Sequence, residues 1–167
     1  DFTMTDWQNR IIKNGIEHAG AFLANEENWR IHPKPQQEAV EALLEQVGWV
    51  QDVIVNIRSA PEWGDRRHVE TLLDGHLRVT LALRKSEDEP VPVKYVDLSP
   101  DEEHLVLALL DATTGEAAAD REKMDALLAS IQTDAPALQS LLSKVAEDLG
   151  LYFEQRASGG DELDMDA

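Results

Sequence analysis

Apolar residues recur along this chain in two rhythms. Trp7, Ile11, Ile12, Ile16, Ala19, Phe22 and Leu23 return every three or four positions. That spacing predicts one long helix from about Thr5 to Asn25, with Arg10, Lys13 and Glu17 off its apolar face. Val40, Leu43, Leu44 and Val47 form a second helical stripe, and Gly48 is placed to end it. The other rhythm is short and β-branched. "DVIVNI", "HVETLL" and "VPVKYVDL" have strand length and are separated by turn residues.

Breakers and caps set the boundaries. Two prolines and two asparagines keep "NEENWRIHPKP" out of a helix, Pro61 and Gly64 mark "RSAPEWGDRR" as a loop, and "KSEDEP" reads as an acidic surface loop. A helix is predicted directly after Gly75. Another runs from Ser99 to Leu110, with Ser99 as N-cap, Pro100 at the first helical position and Glu102 completing a capping box. Asp101 and Glu103 join it as acids at a helix start. Two more helices are expected over 120–131 and 135–149. Trp63 sits in a loop, which leaves exposure open to it.

Composition narrows the class. The chain has 167 residues, enough for one domain with a sizeable core, and no Cys. That rules out disulfides and Cys-based zinc sites. No apolar run is long enough to span a bilayer, so a soluble, cytoplasmic protein without membrane partners is expected. The first residue is Asp1 rather than Met, which suggests an excised piece of a longer protein.

The formal net charge is −18. It is concentrated in the second part, where residues 99–167 carry 4 Lys or Arg against 16 Asp or Glu. Such a surface repels phosphates, so weak or no non-specific DNA binding is expected. The Gly-rich acidic end, "ASGGDELDMDA", reads as a disordered tail. Cations gather in the less acidic part, among them Arg30, His32, Arg58, Arg66, Arg67, His68 and Arg78.

One stretch carries candidate chemistry. "LLDGHLRVTLAL" places Asp74, Gly75, His76 and Arg78 where a strand meets a helix. A glycine there lets a ligand approach the backbone, and the first N–H groups of the helix favour an anion. Arg78 suits a phosphate, His76 adds a donor, and Asp74 orients one of them or holds a metal ion. Asp74 and His76 are the catalytic candidates. The plainer alternative is a polar corner, with Asp74 capping the helix and Arg78 in a surface pair.

The order of these segments resembles the ParB N-terminal-like (ParB/sulfiredoxin) superfamily over about residues 28–111. "NWRIHP" is similar to its N-x-R-x-H-P opening, "VGWVQDVIV" to its G-x-x-Q-x-I-x-V segment, "LLDGHLRVTLAL" to its G-H-x-R corner, and "VPVKYVDLSPDEE" to its I-P-V strand and following helix. The helices beyond resemble extensions found in phage and mobile-element proteins.

The resemblance implies an α+β fold: a small mixed sheet flanked by helices, with an N-terminal helix and a C-terminal helical extension. Together with the apolar patterning and the acidic end, it divides the chain into a packing helix (1–27), a ParB-like domain (28–111), a helical extension (112–151) and an acidic tail (152–167). It implies a nucleotide- or phosphate-binding module of a phage or mobile-element DNA-processing system. Gly75, His76, Arg78, Arg30 and His32 would bind ATP or CTP with Mg2+. A DNA methyltransferase or another DNA-processing protein is the implied partner.

This chain also departs from the family pattern. The Glu-Asn pair that helps hold metal and triphosphate is replaced by Asp111-Ala112, leaving Asp111 as a weak second metal candidate beside Asp74. The Cys that sulfiredoxin chemistry needs is absent. The Glu used by the serine kinases is missing unless Glu26 or Glu27 replaces it. Two rival readings therefore stand: a metal-dependent nuclease or phosphotransferase, or ATP/CTP-hydrolysing enzyme, at the same corner, and a non-catalytic protein-interaction adaptor.

Overall fold

The structure, a computed structural model, describes residues 7–115 and 120–154, with the side chains of 111–115 outside that description. The acidic tail beyond residue 154 and the side chain of Asp111 therefore lie outside the described residues.

Four strands form one mixed sheet: β1 (Ile11–His18), β2 (Val53–Asn56), β3 (Thr71–Asp74) and β4 (Pro90–Val96). Their order is β1-β4-β2-β3. β2 runs parallel to β4, and the two outer strands are antiparallel to their neighbours. The helices are α1 (Lys34–Gln46), α2 (His76–Lys85), α3 (Pro100–Gly115), α4 (Arg121–Ser130) and α5 (Pro136–Asp148). The fold is α+β.

Alternation along the strands builds two cores. Val53, Val55, Leu72, Val91, Val93 and Tyr95 point to one face, where Val79 and Ala82 of α2 cover them. Leu73, Val96 and Leu98 point to the other, against Leu107 of α3. The sheet is thus a layer between α2 and α3. α5 packs on α1, and Thr133 Oγ1 donates to Gln46 Oε1 at 2.6 Å.

The predicted caps are in place. The Ser99 N–H donates to Glu102 Oε1 at 3.0 Å, and the Glu102 N–H returns to Ser99 Oγ at 3.3 Å, closing the capping box. Gly48 follows α1 at φ +102°, the left-handed conformation expected of a helix-ending glycine.

The N-terminal helix is a correction: residues 11–18 are a strand, and every one of them is exposed. A helix needs a buried face to repay its ordering, and among the described residues of this segment only Ala19 and, at its end, Asn25 are buried. Three isoleucines and Asn14-Gly15 also lower helix propensity. Pairing with β4 instead satisfies the backbone groups along that strand's open edge. Trp63, left open to exposure by the sequence, is not exposed. It is buried in a 3-10 turn (Pro61–Arg66), and its Nε1 donates to the Leu98 carbonyl at 2.9 Å.

Candidate functional site

β3 ends at Asp74, and α2 begins at His76. Gly75 between them sits at φ +96°. A Cβ there would lie 2.6 Å from Val53 Cγ1 and 2.9 Å from Val53 Cβ. Glycine is therefore required by the backbone turn and by the strand packed beneath it, independently of any ligand. The N–H groups of His76, Leu77 and Arg78 open the helix, where no intrahelical acceptor exists for them.

Asp74 is the hub of the corner. Arg30 Nη1 donates to Asp74 Oδ1 at 3.3 Å, and Arg78 Nη2 lies 3.6 Å from Oδ2. Arg78 Nη1 also donates to the Gln51 carbonyl at 2.5 Å. Two guanidiniums on one carboxylate leave a net single positive charge. Burial lowers the pKa of Arg78, while Asp74 and Asp52 push the other way.

His76 is held neutral. The Asn25 N–H donates to its Nε2 at 3.0 Å, so that nitrogen carries the lone pair and Nδ1 carries the proton. Burial first, and then Arg30, lowers its pKa. Nδ1 is buried without a hydrogen-bond partner among the described residues, as is Asn25 Nδ2. With Nε2 occupied, the ring presents a donor and no free base.

These residues line a cleft of about 290 Å³ with two unlike ends. Arg30, Asp74, His76 and Arg78 make the polar end, with His32 also on the lining. Val40, Leu43, Leu44 and Trp49 make an apolar wall. His32 is half-buried, and its Nδ1 lies 3.1 Å from Gln36 Oε1. The structure thus gathers Arg30, His32, Asp74, Gly75, His76 and Arg78 from segments more than forty residues apart.

Asp74 is the carboxylate that lines the cleft, and both its oxygens face guanidinium groups. Among the described residues, no group of three His, Cys, Asp or Glu side chains is gathered to hold a metal. Glu26 is committed elsewhere, to Arg58 at 3.4 Å and to Arg66. Burial would raise its pKa, but its own backbone N–H and the two arginines outweigh that and hold it below the usual carboxylate value.

Sequence reasoning missed what holds this site in place. Arg58 and Glu103 are both fully buried and bonded through two nitrogens, Nε to Oε1 at 3.2 Å and Nη2 to Oε2 at 3.0 Å. Asn56 Nδ2 adds a bond to Glu103 Oε1 at 3.1 Å. Through Glu26, Arg58 anchors the segment that carries Asn25 to His76 and Arg30 to Asp74. The signal available beforehand was weak: an Arg just after a strand and a Glu in a helix's first turn.

No family model matches the sequence, and no curated protein matches it. Solved structures do resemble the chain. A C-terminally truncated chromosome-partitioning protein ParB from Caulobacter crescentus, complexed with CTP-gamma-S, superposes with a TM-score of 0.54 at 14% identity, over 70% of this chain and 61% of that one. A Pnob8-like ParB-N domain gives a TM-score of 0.46 at 13% identity, over 86% of this chain and 50% of that one. The chain spans less than two thirds of either relative. With its four-stranded mixed sheet between helices, and the likeness to the Caulobacter protein, the chain has the ParB N-terminal-like fold.

Proposed function

We propose that this protein is a nucleotide-binding module that grips phosphate at the start of α2. The observation that carries the reading is the pair of arginines on Asp74. Arg30 and Arg78 converge on one carboxylate beside unpaired helix N–H groups, so the polar end of the cleft keeps a net positive charge. His76, whose buried Nδ1–H has no partner among the described residues, also lines the cleft. The apolar wall formed by Leu43, Leu44 and Trp49 suits a nucleoside.

The Caulobacter protein's CTP-gamma-S complex supports a nucleoside triphosphate, CTP or ATP, as the ligand. Any Mg2+ would arrive chelated by the phosphates, with Asp74 as the protein carboxylate to meet it. The net charge of −18 disfavours a grip on DNA by this chain itself. The module would serve a phage or mobile-element DNA-processing system through a protein partner, such as a DNA methyltransferase.

Calorimetry with CTP, ATP and pyrophosphate, with and without Mg2+, tests the reading. Charged hydrogen bonds contribute about 1.5–3 kcal/mol each, so Arg78→Ala should weaken binding roughly tenfold or more. A wild type that binds none of the three ligands removes the proposal. Hydrolysis or transfer of the bound phosphate would move the protein into the enzyme class.

A further inference from the structure

The two edges of the sheet are treated differently. At the β3 edge, the Leu72 N–H donates to the Leu23 carbonyl at 2.8 Å, so the chain covers that edge itself. At the other edge, β1 pairs with β4 on one side, and no described strand pairs with its outer side. β1 is eight residues long, contains no Pro, and exposes every side chain. Ile16 is 71% exposed, Ile12 53% and Ile11 42%. Natural proteins usually cover, shorten or break an edge of this kind.

The sequence of β1 is complementary to itself. In an antiparallel pair of two copies centred on Gly15, each Lys13 stands opposite Glu17 of the other copy. The pairing occurs twice, on the same face of the sheet. Lys13 lies over the Tyr95 ring, with its Nζ 4.6 Å from the centroid, and Gly15 is on the same side against Tyr95 and Val93. Neither Lys13 nor Glu17 forms an ion pair among the described residues. Across the same centre, each Asn14 faces Ile16 of the other copy, and the two Ile16 side chains become diagonal neighbours on the opposite face.

We infer that β1 is a homodimer interface: two chains join edge to edge about Gly15 into one eight-stranded sheet. The surface is one strand wide, so it falls at the small end of specific interfaces and gives a reversible dimer. The nucleotide cleft lies at the opposite end of the strand order, beside β3 and β2, so two clefts would sit at the far ends of the joined sheet. The inference is independent of what the cleft binds.

Sedimentation of the full chain from low micromolar to near-millimolar concentration tests it. The wild type should shift reversibly from monomer to dimer. Lys13→Glu and Glu17→Lys each place like charges opposite one another twice, and each should weaken dimerisation roughly tenfold. Mixed in equal amounts, the two single variants should associate again as a one-to-one heterodimer, because every cross-strand pair is then opposite in charge. The double swap Lys13→Glu/Glu17→Lys should also restore the homodimer. A wild type that stays monomeric throughout overturns the inference. So does a mixture of the single variants that associates no better than either alone.

Discussion

Arg58 Nη2 lies 3.0 Å from Glu103 Oε2, and neither side chain reaches solvent. The guanidinium also stacks on Trp63, 4.1 Å from the ring centroid. Arg58 holds a left-handed backbone, φ +55°, that few long side chains adopt. The pair ties the end of β2 to the start of α3 and, through Glu26, to the segment that supplies Arg30.

Without Glu103, the buried Arg58 loses its buried partner and keeps the exposed Glu26 carboxylate at 3.4 Å. Glu103→Leu should therefore lower unfolding free energy by about 3–5 kcal/mol. Arg58→Met combined with Glu103→Leu should recover much of that loss, since an apolar pair needs no desolvated charge. Urea unfolding of the wild type and the two variants checks this. Equal stability of single and double variants would show that the ion pair does not act as a unit.

His76 makes stability depend on pH in a defined direction. Its folded-state pKa lies below the ordinary 6.5 because burial and Arg30 oppose the charged ring. Between the folded value and 6.5 the unfolded chain binds a proton that the folded chain does not. The contribution is therefore fully present above 6.5 and is lost as pH falls through the folded value. Protonation also breaks the Asn25 N–H bond to Nε2. Unfolding measured from neutral pH downward should show the wild type losing its advantage over His76→Gln. A gap between the two that stays constant with pH would contradict this.

Gly75 and Arg78 should respond differently to alanine. At Gly75 the added Cβ meets both a left-handed backbone and Val53 at 2.6 Å. Stability should fall by about 2 kcal/mol or more. Arg78→Ala leaves Asp74 still paired with Arg30, so the melting temperature should move less while nucleotide affinity falls. Melting curves and calorimetry on both variants separate a fold defect from a binding defect.

What was legible in the sequence follows from burial. β2, β3 and β4 announced themselves because their apolar residues are the core: Val53, Val55, Leu72, Val91 and Val93. The capping box at Ser99 and Glu102 was legible because its hydrogen bonds are local. β1 was not legible, because an exposed edge strand has no buried face to impose a two-residue period. Its isoleucines fell by chance on a helical spacing. The corner at Asp74, Gly75, His76 and Arg78 could be read as a local motif. Its meeting with Arg30 could be proposed only from the order of segments, because the contact spans 44 positions. Arg58 and Glu103, 45 apart, were not legible as partners, since nothing local marks a charge that will be buried.

DNA binding offers the sharpest contrast between fold and surface. The fold is shared with a chromosome-partitioning protein, yet this chain carries 33 acidic residues against 15 basic ones. Affinity for duplex DNA without sequence preference comes almost wholly from neutralised phosphates and released counterions, and typical non-specific binders fall at about 10⁻⁴–10⁻⁶ M at physiological salt. Several cationic groups among the described residues are already paired within the molecule: Arg58 with Glu103, Arg66 with Glu26, Lys94 with Asp52, and Arg10 with Glu102 and the Asp97 carbonyl. Glu102 is so firmly held by the Arg10 hydrogen bond, and then by the Ser99 N–H, that its pKa falls to about 2. Both groups are ionised at physiological pH, and Glu102 offsets the charge of Arg10. The isolated chain should bind random duplex DNA more weakly than that range. Fluorescence anisotropy with a labelled random duplex, read across a salt series, measures it. Low-micromolar binding with a steep salt dependence would show that a basic surface forms despite these commitments.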